Sequence, residues 1–345
     1  MQTIFNILIS ALVFSLLILS HEAGHFFTAL WAGVKVHEFS IGMGPAVFKK
    51  QFKRCLFCIR IFPIGGYVQM EGEDGESEDE NAFSKKPKWK RFLVLVMGAT
   101  MNILMGFLLI CCLNASMERY PTTTVGGFRD DVTVLSASYG LQPEDTILEI
   151  DGYNIYSYMD ISYALAKDTK AESFDITVKR GGQEVLLENV QFPTTTIEGQ
   201  GTFHEIDFKV YGVDRNLFSL IKFSSGYTIS VSRSIYSFIG SIFTMEADYS
   251  QVSGPVGTAS AIGQSASAGL SNLLMMVALI SINLGIMNLL PFPALDGGRI
   301  VLLLLEAIRR KPLNPKIEIA LNAAGLVILL GLMVVVTLKD IIGLF

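Results

Sequence analysis

Apolar residues run almost unbroken in four places along this chain: from Ile4 past Ser20 to about Val34, from Phe92 to Leu113, from Leu270 to Leu290, and from Ile317 to Leu338. Each run is long enough for a helix to cross a bilayer, which takes roughly 20 residues. Elsewhere the pattern alternates. VKVHEFSIGMGPAVFKK and FCIRIFPIGGYVQM follow the first run, rich in Val, Ile, Phe and Tyr and punctuated by Gly42, Gly44, Pro63, Gly65 and Gly66. That predicts a β-hairpin or small sheet. Its apolar content predicts that it dips into the membrane edge, where protein must shield its backbone. From about Tyr120 to Pro193, the segments DVTVLSA, DTILEIDG, FDITVKRGG and EVLLENVQF predict short strands around one helical stretch, DISYALAKD. HEIDFKVYG reads as a further strand. The serine-rich apolar stretch from Leu217 to Phe243 is broken by Gly226 and carries Lys222 and Arg233, so it reads as an interfacial helix and not a fifth span.

Composition agrees with this pattern. Half of the residues are hydrophobic, 17% are charged and the mean hydropathy is +0.45, too apolar for an ordinary soluble domain. The first run has no basic segment before it and no small-residue cleavage site, so it is read as a retained span and not a signal peptide. Eleven Lys and Arg lie between the first and second runs, and Arg309, Arg310 and Lys311 between the third and fourth. These loops are therefore expected in the cytoplasm, with both termini and the long stretch from Asn114 to Gly269 outside. The expected division is 1–113 for two spans and the membrane-associated β region, 120–195 for a compact outer domain, 196–269 for a strand and interfacial helix, and 270–345 for the last two spans. Cys55, Cys58, Cys111 and Cys112 form neither a disulfide framework nor a complete zinc set. With basic residues at membrane edges and a net charge of -5, no nucleic-acid partner is expected.

Inside the first run stands SHEAGHFF. HExxH on a helix puts His21 and His25 on one face, spaced to give two imidazole nitrogens to a zinc ion, with Glu22 beside them. A third protein ligand leaves one position for water, which the metal acidifies and Glu22 can deprotonate for attack on a peptide carbonyl. A polar helix end meeting water is the plainer alternative, but apolar residues continue on both sides. His37 and His204 lack metal-ligand spacing with any partner. Asp296, in NLLPFPALDGGR, follows two prolines that must interrupt the third span, at a depth comparable to His21. It is the expected third ligand.

HEAGH, the GMG-containing hairpin with PIGGYVQM, SGPVG and NLLPFPALDGG together resemble the site-2 protease family of intramembrane zinc metalloproteases, most closely its bacterial RseP-type branch. The resemblance covers nearly the whole chain. It implies Zn2+ on His21, His25 and Asp296, catalysis by Glu22, and substrate contact by Asn288. SASYGLQPEDTILEIDGYNI resembles a PDZ core, although Glu144 stands where glycine is usual and VGGFRDDVTV lacks a clear carboxylate-binding loop. In the second span GATMN lacks the usual proline after its glycine. The expected fold class is thus a polytopic α-helical membrane protein with four transmembrane helices, a membrane-associated β-hairpin and one extracytoplasmic PDZ (α+β) domain, in the inner or plasma membrane. The resemblance implies regulated intramembrane proteolysis of single-pass substrates such as anti-sigma factors or remnant signal peptides, trimmed beforehand by a site-1 protease. The strand at Gly65, Gly66, Tyr67 and Val68 is the expected edge on which a substrate extends. Two other readings are a catalytically silent PDZ adaptor anchored in the bilayer and a membrane-tethered peptidase acting on soluble chains. Intact Glu22 opposes the first, and ligands inside spans oppose the second.

Overall fold

The computed structural model describes residues 2–73, 75, 77–167, 171–197, 201–244, 252–311 and 313–342. Asp74 and Glu76 of the acidic run EGEDGESEDE lie outside them. The chain divides into two compact units, residues 1–109 with 238–345, and residues 110–237.

The first unit is mainly helical and carries one small sheet. α1 (Gln2–Ala32), α2 (Lys88–Asn114), α6 (Leu270–Asn288) and α8 (Pro315–Ile342) are long and apolar enough to cross a membrane, and the protein is a membrane protein. Leu8 and Leu12 on α1 and Val327 and Val335 on α8 stay largely exposed, as faces meant for lipid do. Two further helices were not expected. α5 (Pro255–Ser267) starts with proline at its first position, where the missing N–H is harmless. Its small residues let it pack closely: a Cβ on Gly263 would strike Asn6, and the Ser10 hydroxyl donates to the Ala259 carbonyl at 3.0 Å. Residues 238–269 thus belong with the first unit. α7 (Asp296–Arg309) resumes the chain after the expected break behind α6.

β1 (Val36–Gln51) and β2 (Leu56–Met70) pair antiparallel. Strands of 16 and 15 residues are far longer than the usual five or six, and both fold over at glycines with φ near +85°. Each therefore supplies two strands. Residues 36–41 pair with 66–70 on one side and 56–59 on the other, while 46–51 close the far side. Among the described residues, the strand 66–70 pairs with 36–41 alone and is a sheet edge.

The second unit is built on antiparallel strands β3 (Arg119–Phe128), β4 (Thr146–Ile150), β5 (Tyr153–Asn154), β6 (Phe174–Arg180), β7 (Gln183–Val190) and β10 (Phe208–Asp214), in the order β10-β3-β4-β6-β7 with β5 on β4. β8 (Thr194–Ile197) and β9 (Gly201–His204) form a separate hairpin. α3 (Tyr158–Lys167) covers the core of Val125, Ile147, Ile161, Leu165, Phe174 and Ile176. The sheet reaches past the expected boundary at 195, because β10 supplies the strand that pairs β3. α4 (Leu217–Phe243) spans the residues expected of the interfacial helix. It meets this unit through Ser230, 2.6 Å from the Ser157 hydroxyl, and Arg233, which donates to the Asn154 carbonyl at 2.9 Å.

Candidate metal centre

One helical turn separates His21 from His25 on α1, so both imidazoles leave the same face. Asp296 is the first residue of α7. Its Oδ2 lies 3.2 Å from Nε2 of His21 and 3.2 Å from Nε2 of His25, and the two Nε2 atoms are 3.2 Å apart. Three donors on a nearly equilateral triangle fit a tetrahedral ion, since ligands about 2.0–2.1 Å from zinc stand roughly 3.3–3.4 Å from one another. Asp296 Oδ2 is buried with no hydrogen-bond donor of its own, so an ion is what these lone pairs lack. The His25 ring is fixed from behind: Nδ1–H donates to the Val94 carbonyl at 2.8 Å, and Nε2 faces the triangle. Among the described residues this is the single cluster of His, Cys, Asp and Glu side chains arranged to hold a metal.

Close backbone approaches hold the triangle together. A Cβ on Gly98 of α2 would come within 2.3 Å of His25 Nε2, and one on Gly24 within 2.2 Å of the Met97 carbonyl, so α1 and α2 cross where neither has a side chain. Behind α6 the chain folds back over the start of α7, where added Cβ atoms on Gly297 and Gly298 would strike the carbonyls of Leu290 and Phe292. That loop is strained at Ala294, a non-glycine residue with φ of 74°, whose N–H donates to Asn322 of α8. Further along α7, Glu306 accepts from Arg91 at 2.9 Å and its carbonyl from Lys88 at 2.6 Å.

The triangle opens on a cavity of about 290 Å3. Glu22, Asn288, Tyr67 and Val68 line it with His21, His25 and Asp296, so α1, the edge strand, α6 and α7 meet there. Gly66 adjoins Glu22, whose Cγ would lie 3.4 Å from an added Cβ, whereas Gly65 faces Met43 and does not line the cavity. Sequence reasoning missed Arg299 and Glu73, which pair with each other at the cavity wall. Arg299 carried a signal in its spacing, three residues after Asp296 and hence on the same helical face. His37 and His204 stand elsewhere. His37 bonds Glu71 at 2.6 Å, and bonds from Ser77 and His37 hold the Glu71 carboxyl below its usual value. His204 packs edge-on against Phe174.

Helices of bilayer length carrying two imidazoles, a carboxylate and an adjoining glutamate define a class, the membrane metallopeptidases. Comparison with known proteins agrees and narrows it. The chain belongs to peptidase family M50, the site-2 protease family, whose profile matches residues 9–332. A relative in Clostridium perfringens, named as a zinc metalloprotease, is 36% identical over 97% of this chain and 98% of its own. One in Fusobacterium nucleatum, similarly named, is 35% identical over 98% and 99%. The zinc metalloprotease RasP of Shouchella clausii is 28% identical over 96% and 98%. The metal of this metallopeptidase is zinc, which suits two imidazoles and a carboxylate.

Proposed function

We propose that this protein is an intramembrane endopeptidase that cuts the transmembrane segments of single-pass substrates. The observation that carries this reading is the depth of the triangle: His21 lies roughly 25 Å along α1 from Ile4, inside a helix of bilayer length. His21, His25 and Asp296 hold zinc, which when bound supplies Lewis-acid chemistry at the scissile carbonyl. Glu22 takes the proton of the attacking water on its carboxylate and delivers it to the departing amide nitrogen. Asn288 donates its side-chain amide to the opened substrate backbone.

A helical substrate hides its carbonyls in its own hydrogen bonds and must extend before it can be cut. The edge strand 66–70 offers unpaired backbone groups beside Glu22, so strand addition at Gly66, Tyr67 and Val68 is the docking mode we assign. The excess of Lys and Arg in the two short loops supports a triangle on the cytoplasmic side, with both termini and the β-rich unit on the other. That unit is read as a PDZ domain with a weak peptide-end signature, which makes it a size filter. A substrate of the anti-sigma or remnant-signal type passes it once an upstream protease has trimmed the outer part.

The test is cleavage of a single-span peptide by the zinc-loaded full chain in detergent. Cuts should map inside the span, and Glu22→Gln should keep zinc while lowering turnover roughly 100- to 10,000-fold. Cuts confined to soluble flanks would refute the intramembrane reading. Replacing 119–214, which removes β3 through β10 together, by a short linker should let untrimmed substrates be cut. Loss of cutting on trimmed substrates by a folded, zinc-loaded deletion would make the unit a recruiter instead.

A further inference from the structure

A second cavity lies where α1 ends, apart from the metal centre. Its volume is about 530 Å3, within the range of small-molecule sites. Phe26 and Leu30 of α1, Phe39 of β1, Phe57 of β2 and Phe52 in the turn between the strands wall it, and Lys53 and Arg54 stand at its rim. Lys49 and Lys50 follow on the β1 end, with the Lys50 ammonium 5.2 Å from the Phe52 ring. Among the described residues none of these four cations forms an ion pair, whereas Lys35 in the same loop bonds Asp79 at 2.7 Å. An apolar slot therefore opens beneath a group of uncompensated positive charges.

The depth of the slot is marked by its neighbours. Trp31 follows Leu30 directly and meets Trp89 edge to face at 5.8 Å, with the Lys90 ammonium within 6 Å of both rings. Paired tryptophans beside a lysine mark the headgroup level of a bilayer. Val47, Phe48, Ile59, Ile61 and Phe62 on the same two strands are exposed as well and extend the apolar surface of the sheet. A ligand here must offer hydrocarbon to the aromatic walls and negative charge to the rim at headgroup depth.

We propose that the slot binds an anionic phospholipid of the leaflet facing the basic loop, with an acyl chain among Phe26, Leu30, Phe39 and Phe57 and its phosphate at Lys53 and Arg54. Occupancy has a path to the catalytic cavity. Phe26 stacks on Phe39 at 4.8 Å, and Phe39 pairs across the sheet with Val68 of the edge strand. A chain in the slot thus packs against the same face of the sheet that carries Val68 to the cavity.

Native mass spectrometry of the full chain released from nanodiscs, with phosphatidylglycerol and phosphatidylcholine of equal chain length, tests this. Phosphatidylglycerol should be retained in preference. Lys53→Gln with Arg54→Gln, both exposed, should weaken its binding about 25-fold, roughly fivefold for each cation. Phe52→Ala, which opens the exposed wall, should weaken it with the rim intact. Arg309→Gln with Arg310→Gln removes two charges from the other basic loop and should change nothing. An equal loss in that control pair would show diffuse surface charge and overturn the site. So would equal retention of both lipids, or displacement of the lipid by glycerophosphoglycerol, which has the headgroup without the chains.

Discussion

Asp207 and Asp296 are carboxylates withdrawn from water, one in each unit, and their surroundings differ in kind. Asp207 is fully buried and accepts from the backbone N–H groups of Leu135 and Ser136 and from the Ser136 hydroxyl, at 2.7–2.9 Å. Its neighbours in that unit behave alike: Asp145 takes two bonds from Arg180 and one from the Gln142 N–H, and Asp160 accepts from Tyr156 and Ser157 at the start of α3. Asp296 has no such donors on Oδ2 and faces two imidazole nitrogens instead. A carboxylate wrapped by N–H groups is a staple that fixes loops. One aimed at other lone pairs is arranged to share a cation with them.

The sharpest way to break this comparison is to neutralise each carboxylate in turn. Asp296→Asn should weaken zinc binding by more than about 100-fold, beyond the loss typical of outer-shell partners, with the β-rich unit unchanged. Asp207→Asn should leave zinc content intact and destabilise the β-rich unit by about 2–3 kcal/mol, because three donors lose their charged acceptor. Metal analysis beside thermal unfolding of each variant reads both; zinc loss in Asp207→Asn would erase the distinction.

A smaller effect is expected at the sheet edge. Proline at Tyr67 or Val68 removes one backbone donor of about 1 kcal/mol, so cleavage should slow roughly fivefold with zinc unchanged. Unaltered rates at both positions would rule out strand addition there. Smaller again is Glu144, which sits at φ of 73° where the PDZ pattern favours glycine. Glu144→Gly should raise the stability of the β-rich unit by about 0.5–1 kcal/mol, read from its melting curve. The smallest effect is confined to alkaline solution. Burial pushes the Tyr153 hydroxyl up to about 12, with Arg233 opposing and Asp160 adding to the rise. Since the folded value exceeds the unfolded one near 10, this contribution is whole below about pH 10 and is lost as pH rises toward 12. Tyr153→Phe should flatten that alkaline decline, and an unchanged slope would assign it to other groups.

Much of this arrangement was legible because it is local or periodic. Four apolar runs gave the long helices, and HExxH fixed two imidazoles and a glutamate by helical spacing alone. Asp296 could be reached as well, since an acid behind paired prolines in an apolar run has few other uses. What stayed hidden depends on tertiary packing. α5 is made of small residues with no apolar stripe, so its helix is visible only through the neighbours that accept it. Arg299 and Glu73 read as solvated charges until α7 is seen turning back beside the sheet. The doubling of β1 and β2 into four strands hangs on three glycine conformations, and sequence shows the glycines without showing which way the chain folds at them.

Those doubled strands carry a consequence for selectivity. An open strand in a water-soluble protein invites aggregation, because any extended chain can add to it, and such edges are ordinarily blocked. Here the open strand borders a cavity within the first unit, so the strand addition proposed above would be limited by who can reach it. Hydrogen bonds to a main chain read conformation and ignore side-chain identity. Under that proposal the protease should tolerate wide variation in the sequence it cuts, and should discriminate by how readily a membrane helix unwinds near its target bond.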